Sequence, residues 1–252
     1  NRPVKIPSSK FNKIDWRCSI LFLAWFLLVP CAMARIARVV VPGIPHHITQ
    51  RGNRRQRVFF SDEDRQAYLD LLLEHTRINN VSIWSYCLMD NHVHLVAVPE
   101  SEESLALAIG EAHRLYSRRI NFRMGWRGYL WQGRFSSYPL DERHLFTTVR
   151  YVERNPVRAN MVRYAEEYRW SSARAHVLGD VDSLLSGEEA NIMGIDDWGA
   201  YLRNQDDEED TKKIKKHART GRPLGNDQFI DRLESMTGRI LRKQRPGPKR
   251  QV

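Results

Sequence analysis

An α+β fold built on one antiparallel sheet is what the sequence predicts, on three observations. Short β-like runs alternate with amphipathic helical stretches, two of the runs are joined by a two-residue turn, and the order from Arg35 is β-α-β-β-α-β followed by a helix. At 252 residues the chain is long enough for one main domain with appendages.

Ala37–Val41 and His46–Gln50 are short and partly alternating, with Pro42-Gly43 and Pro45 between them, which suits an interrupted first strand. Ser61 is a candidate N-cap with acids in the turn after it, and Tyr68, Leu69, Leu71, Leu72 and Leu73 supply the apolar side of a helix reaching about Ile78. Val81–Met89 and His92–Val98 read as two strands joined at Asp90-Asn91. Ser101 to Ile120 reads as a second helix, with Leu105, Ala108, Ala112 and Leu115 at helical spacing. Phe135–Leu140 is a further strand. Asp141 can cap a third helix carrying Leu145, Val149 and Val152, which ends ahead of Pro156 because proline disfavours helical geometry in the residue before it. This order predicts a ferredoxin-like split β-α-β sheet with helices on one face, plus a helical and basic C-terminal extension.

The domain organisation expected is a main domain over 33–178, a linker over 179–225, and a short helix with a basic tail over 226–252. Gln205–Asp210 is acidic and is followed by Lys212, Lys213, Lys215, Lys216 and Arg219, blocks that usually mark a solvated linker. Asn226 or Asp227 can cap a helix with Phe229, Ile230, Leu233 and Met236 on one face, ended by Gly238. The last fourteen residues hold six Lys or Arg, among them Lys249 and Arg250, and no acid. At the other end, Cys18 to Ala34 is uncharged and apolar behind Lys10, Lys13 and Arg17, the pattern of a secretory signal. The reading preferred is that residues 1–32 are an extension outside the functional domain, with Met33 opening a fresh start.

Forty Lys+Arg against thirty Asp+Glu leave a net charge of +10, which favours a polyanionic partner over an acidic small substrate. Charge alone does not separate nucleic acid from an anionic membrane. Cys18, Cys31 and Cys87 have no paired spacing, so a reducing compartment suits them best.

Three sets of residues can carry chemistry. In Asn91-His92-Val93-His94-Leu95-Val96 the two imidazoles fall at i and i+2 of a strand, so both can reach one metal ion while Val93 and Leu95 pack behind. Two such histidines can equally be half-buried polar residues. Tyr151 and Asn155 stand at i and i+4 of a helix, and Asn155 offers a neutral oxygen as a third donor. A lone tyrosine is more often core. Gln50 to Arg57 places Arg51, Asn53, Arg54, Arg55 and Arg57 around Gly52. Arg114, Arg118 and Arg119 lie on the second helix, and Tyr129, Trp131, Arg134 and Phe135 interleave rings with charge. Rings and cations together suit single strands, whose bases stack while the backbone meets charge.

The segments PHHITQRGNRRQ, MDNHVHLV, LWQGRF, YVERNPVRANMV and YRWSSARAH, in this order between about Met33 and Ala175, resemble the REP-associated tyrosine transposases, relatives of the HUH-type single-strand DNA transposases. TGRPLGNDQFIDRLESMTGR resembles a C-terminal tail found in some of them. The resemblance implies a bacterial cytoplasmic enzyme that cleaves and rejoins single-stranded or hairpin DNA through a 5′-phosphotyrosine on Tyr151. It implies Mg²⁺ or Mn²⁺ held by His92, His94 and Asn155, and DNA contacts from Arg51, Asn53, Arg54, Arg55, Arg57, Arg114, Arg118, Arg134, Lys249 and Arg250. Either a monomer or a homodimer fits, with neither a small-molecule substrate nor stable membrane association. The alternative reading is a sequence-specific DNA-binding protein that keeps the fold without the chemistry.

Overall fold

The computed structural model describes residues 36–187 and 194–244. The chain divides into two units, Asn1–Ala34 and Arg35–Val252, and all described residues belong to the second. The apolar run at 18–34 and the basic residues Lys249 and Arg250 lie outside the described residues.

Four strands, β1 (His46–Arg51), β2 (Val81–Met89), β3 (His92–Pro99) and β4 (Ser136–Pro139), form one antiparallel sheet in the order β2-β3-β1-β4. With α1 (Asp62–Ile78) between β1 and β2, and α2 (Ser104–Met124) between β3 and β4, this is the split β-α-β arrangement expected. The hairpin pairs Met89 with His92 across Asp90-Asn91. Ala37–Val41 is not strand. Gly43 (φ 72°) turns the chain, and Val39 and Val41 instead pack against Leu233 and Leu241. Proline, with no N–H to give, suits β4 because that strand is at the sheet edge.

Paired positions share a face, so His47, Thr49, Arg51, His92, His94 and Tyr138 point one way and Ile48, Gln50, Val93 and Leu95 the other. On the first face lies α3 (Glu142–Glu153), whose Tyr151 ring meets His94. α2 is on the second, where its His113 lines a cavity with Gln50 and bonds Tyr68 of α1 at 2.8 Å. Helices therefore cover both faces rather than one. The near-continuous apolar run of β2, in which all but Ser82 is buried, reflects that two-sided cover.

α3 starts as its sequence indicates, with the Asp141 carboxylate accepting from His144 N at 2.9 Å. It ends at Glu153, and a short turn, α4 (Asn155–Arg158), continues beyond Arg154 with Pro156 inside it. Two further short helices follow, α5 (Ala173–Leu178) and α6 (Trp198–Arg203).

The charged blocks read as a linker form a helix instead, α7 (Glu208–Thr220). Acids occupy its first turn and His217 and Arg219 its last, which complements the helix dipole, and Lys212 and Lys213 pair with Glu208 and Glu209 one turn back. Ile214 is buried in the main core, and the Tyr138 hydroxyl donates to its carbonyl. α8 (Asp227–Thr237) is capped by Asn226 and ended by Gly238 as expected, with Leu233 buried and Met236 half exposed. Among the described residues, no helix is long and apolar enough to cross a membrane.

Candidate active site

β3 presents His92 and His94 on the α3 face, while Val93 and Leu95 are fully buried behind them. The register places Arg51 beside His92 and Thr49 beside His94. The two imidazoles meet edge to face with centroids 5.1 Å apart. A third histidine, His47 on β1, joins them: its Nε2 lies 2.9 Å from His94 Nδ1, and its Nδ1 lies 2.8 Å from the Tyr138 hydroxyl.

Tyr151 is delivered to this cluster by α3, with its ring 5.7 Å from that of His94 and 6.2 Å from that of His47. Its pairing with Asn155 survives the break at Arg154 (φ −81°, ψ 3°), because the Arg154 N–H still reaches the Arg150 carbonyl and the Arg158 N–H the Arg154 carbonyl. Asn155 is buried, and its Nδ2 donates to the Tyr151 carbonyl at 3.4 Å, which turns Oδ1 away from that carbonyl.

Arg158 was not singled out by its sequence context, yet its Cζ lies 3.9 Å from the Tyr151 ring centroid. Asp206 holds it there at 3.0 Å and also pairs with Arg154 at 3.3 Å and Arg150 at 3.6 Å. The three arginines recur at helical spacing and so share one face. Three cations against one carboxylate leave the surroundings of Tyr151 positive.

Burial dominates the protonation of the histidines. It brings His47 to about 3 and His92 to about 4, with the Arg158 charge adding to both and Arg51 to His92. His94 is pushed well below its usual range by burial, then by His92 and His47. All three are therefore neutral at pH 7 and hold lone pairs. The Tyr151 phenol is raised by burial, against which the Arg158 and Arg51 charges favour the phenolate.

This donor set fits a divalent cation. His92 Nδ1 is engaged by the Asn91 side-chain oxygen at 2.6 Å and His94 Nδ1 by His47, so each ring has Nε2 to offer. Both nitrogens of His47 are taken, which makes it a supporting residue rather than a ligand. Among the described residues, no group of three or more His, Cys, Asp or Glu side chains could hold a metal, so a third protein donor beside His92 and His94 would be of another kind, such as an amide.

The basic residues divide. Arg51 faces the histidines. Gly52 is required by crowding, since a Cβ there would lie 2.3 Å from the Gln56 carbonyl oxygen and 2.8 Å from Val58 Cγ1. Beyond it Asn53, Arg54 and Arg55 form a single 3₁₀ turn in which Arg54 and Arg55 have positive φ and are exposed. Arg57 is tied to Asp90 at 3.1 Å. Arg114, bonded to Glu111, and Arg134 instead line a cavity of about 600 Å³ on the opposite face of the sheet, with Tyr129 at its exposed edge. Arg118 is exposed on α2. Trp131 and Phe135 are core.

Residues 40–155 match the family described as Transposase IS200 like. This stretch, a little under half of the chain, is similar to that family. The transposase match takes in both histidines of β3, Tyr151 and Asn155, and stops short of Arg158, Asp206 and α7. No curated protein matches the chain. Among solved structures, a REP-associated tyrosine transposase bound to a REP hairpin is 19% identical, covering 62% of this chain and 93% of its own, with a TM-score of 0.47. A protein described as a transposase from Deinococcus radiodurans R1 is 18% identical, covering 47% of this chain and 95% of its own, with a TM-score of 0.35.

Proposed function

We propose that the protein cleaves and rejoins single-stranded DNA at hairpin, REP-like sequences, with Tyr151 as nucleophile and a divalent ion, Mg²⁺ or Mn²⁺, held by His92, His94 and Asn155. The observation that carries this reading is the convergence of a neutral His-x-His pair and a tyrosine ring on one sheet face beside clustered arginines. The relative solved with a REP hairpin motivates the choice of DNA to test.

When bound, the ion would polarise a phosphate oxygen of the scissile link. The chain's own groups do the rest. Arg158 and Arg51 lower the cost of the phenolate, and Tyr151 Oη attacks phosphorus in line. The phosphorus–O3′ bond breaks, the 3′ oxygen takes up a proton, and the 5′ phosphate stays on Tyr151. Attack by a 3′ hydroxyl on that phosphotyrosine reverses the exchange and needs no ATP, since the diester energy is kept in the protein–DNA bond. Arg54, Arg55 and the cavity around Arg114 and Arg134 are assigned to the flanking strand, and Lys249 and Arg250 to its phosphates.

The test is a labelled hairpin with single-stranded flanks, incubated with Mn²⁺ or with chelator and run under denaturing conditions. A metal-dependent protein–DNA band is expected. Cleavage without the band would assign the attack to water, and tight binding without cleavage would leave a DNA-binding protein that keeps the transposase fold.

A further inference from the structure

A neutral imidazole carries its one proton on either nitrogen, so nothing in His94 itself guarantees a lone pair at Nε2. His92 has a local solution, because the Asn91 oxygen at its Nδ1 can only accept. The partner of His94 Nδ1 is Nε2 of His47, which can donate or accept. The direction is decided further along the chain of contacts. The Ile214 carbonyl can only accept, so the Tyr138 hydroxyl spends its one proton there, at 3.2 Å. That hydroxyl must then accept from His47 Nδ1–H, at 2.8 Å. His47 Nε2 is left with the lone pair, and His94 Nδ1–H donates to it. The two rings are within 10° of parallel with centroids 5.1 Å apart, which suits an N–H and a lone pair in a common plane. His47 and Tyr138 are fully buried, so no water competes for these bonds.

We infer that His47 and Tyr138 are positioning residues that lock His94 in its Nδ1–H tautomer, with the Ile214 carbonyl of α7 as the terminal acceptor, and so aim the Nε2 lone pair of His94 at the metal position. The inference rests on the metal-site reading above and deepens it. It also gives α7, which lies beyond the stretch matched to the transposase family, a part in preparing the site.

Selective ¹⁵N labelling of histidine in the full chain, read by long-range ¹H–¹⁵N spectra at neutral pH without metal, reports the tautomer directly. Nδ1–H is expected for His94 in the wild type. Tyr138→Phe removes one oxygen and frees His47 to reverse its proton, so His94 should change to Nε2–H. His47→Leu should release the tautomer and weaken Mn²⁺ binding by about 10- to 100-fold. His47→Gln, whose amide oxygen can take the place of Nε2, should restore much of that affinity. An Nε2–H His94 in the wild type, or a tautomer unmoved by Tyr138→Phe, would overturn the inference. Should His47→Leu fail to fold, Tyr138→Phe decides. A wild type that takes up no Mn²⁺ would sink the metal site alone, since the metal-free spectrum still reads the tautomer.

Discussion

The guanidinium of Arg158 lies over the ring of Tyr151, 3.9 Å from its centroid, while its Nη2 donates to the carbonyl of the same residue at 2.7 Å. Ring and backbone of the tyrosine are thus held by one side chain, which Asp206 in turn anchors. A cation so placed favours the phenolate, and its removal raises the phenol further above its ordinary value. Arg158→Ala is therefore expected to slow cleavage at pH 7.5 by about 10- to 100-fold, since each pKa unit is worth about 1.4 kcal/mol. The rise of rate with pH should move to higher pH in the variant. An unchanged pH–rate profile in a folded variant would remove Arg158 from the chemistry.

Gly52 ends β1 next to Arg51 and cannot accept a side chain without displacing backbone. Gly52→Ala should destabilise the protein by about 1–3 kcal/mol, the usual range for overpacking. It should also cut cleavage by disturbing Arg51 beside His92. Chemical denaturation together with the hairpin assay checks both, and a variant of wild-type stability would show that the 53–57 turn gives way freely.

Buried histidines make the fold acid-sensitive in a defined window. His46 is held at about 4, and His47 and His113 at about 3, each mainly by burial. In the unfolded chain these groups titrate near 6.5, so below that pH the unfolded state binds more protons and stability falls until the folded values are reached. Above 6.5 both states are neutral and this contribution is flat. Unfolding free energy should decline steadily from pH 6.5 to 4, by up to about 1.4 kcal/mol per pH unit for each such histidine, and the melting temperature should fall with it. A constant melting temperature over that range would contradict the assigned burial.

The parts of the site legible in the sequence are those with short-range periodicity. The i, i+2 spacing put His92 and His94 on one face, and the i, i+4 spacing put Asn155 one turn beyond Tyr151. What escaped depends on contacts distant in sequence. His47 reaches His94 only through the β1–β3 register and Arg158 reaches Tyr151 past a proline, while Ile214 sits in a run whose charges read as solvent-facing. One signal was available for helices on both faces: β2 is too uniformly apolar for a sheet with one wet side. Arg114 and Arg134 share the composition of the site but line the opposite face, because composition carries no information about which face of the sheet a residue occupies.

The most direct test of the central claim is to trap the reaction of Mn²⁺-loaded protein with hairpin DNA, digest both, and locate the modified peptide by mass spectrometry. A nucleotide attached through phosphate to Tyr151, absent in a Tyr151→Phe variant that still binds the hairpin, is the result expected. An adduct on another residue, or metal-dependent cleavage that persists in Tyr151→Phe, would contradict it.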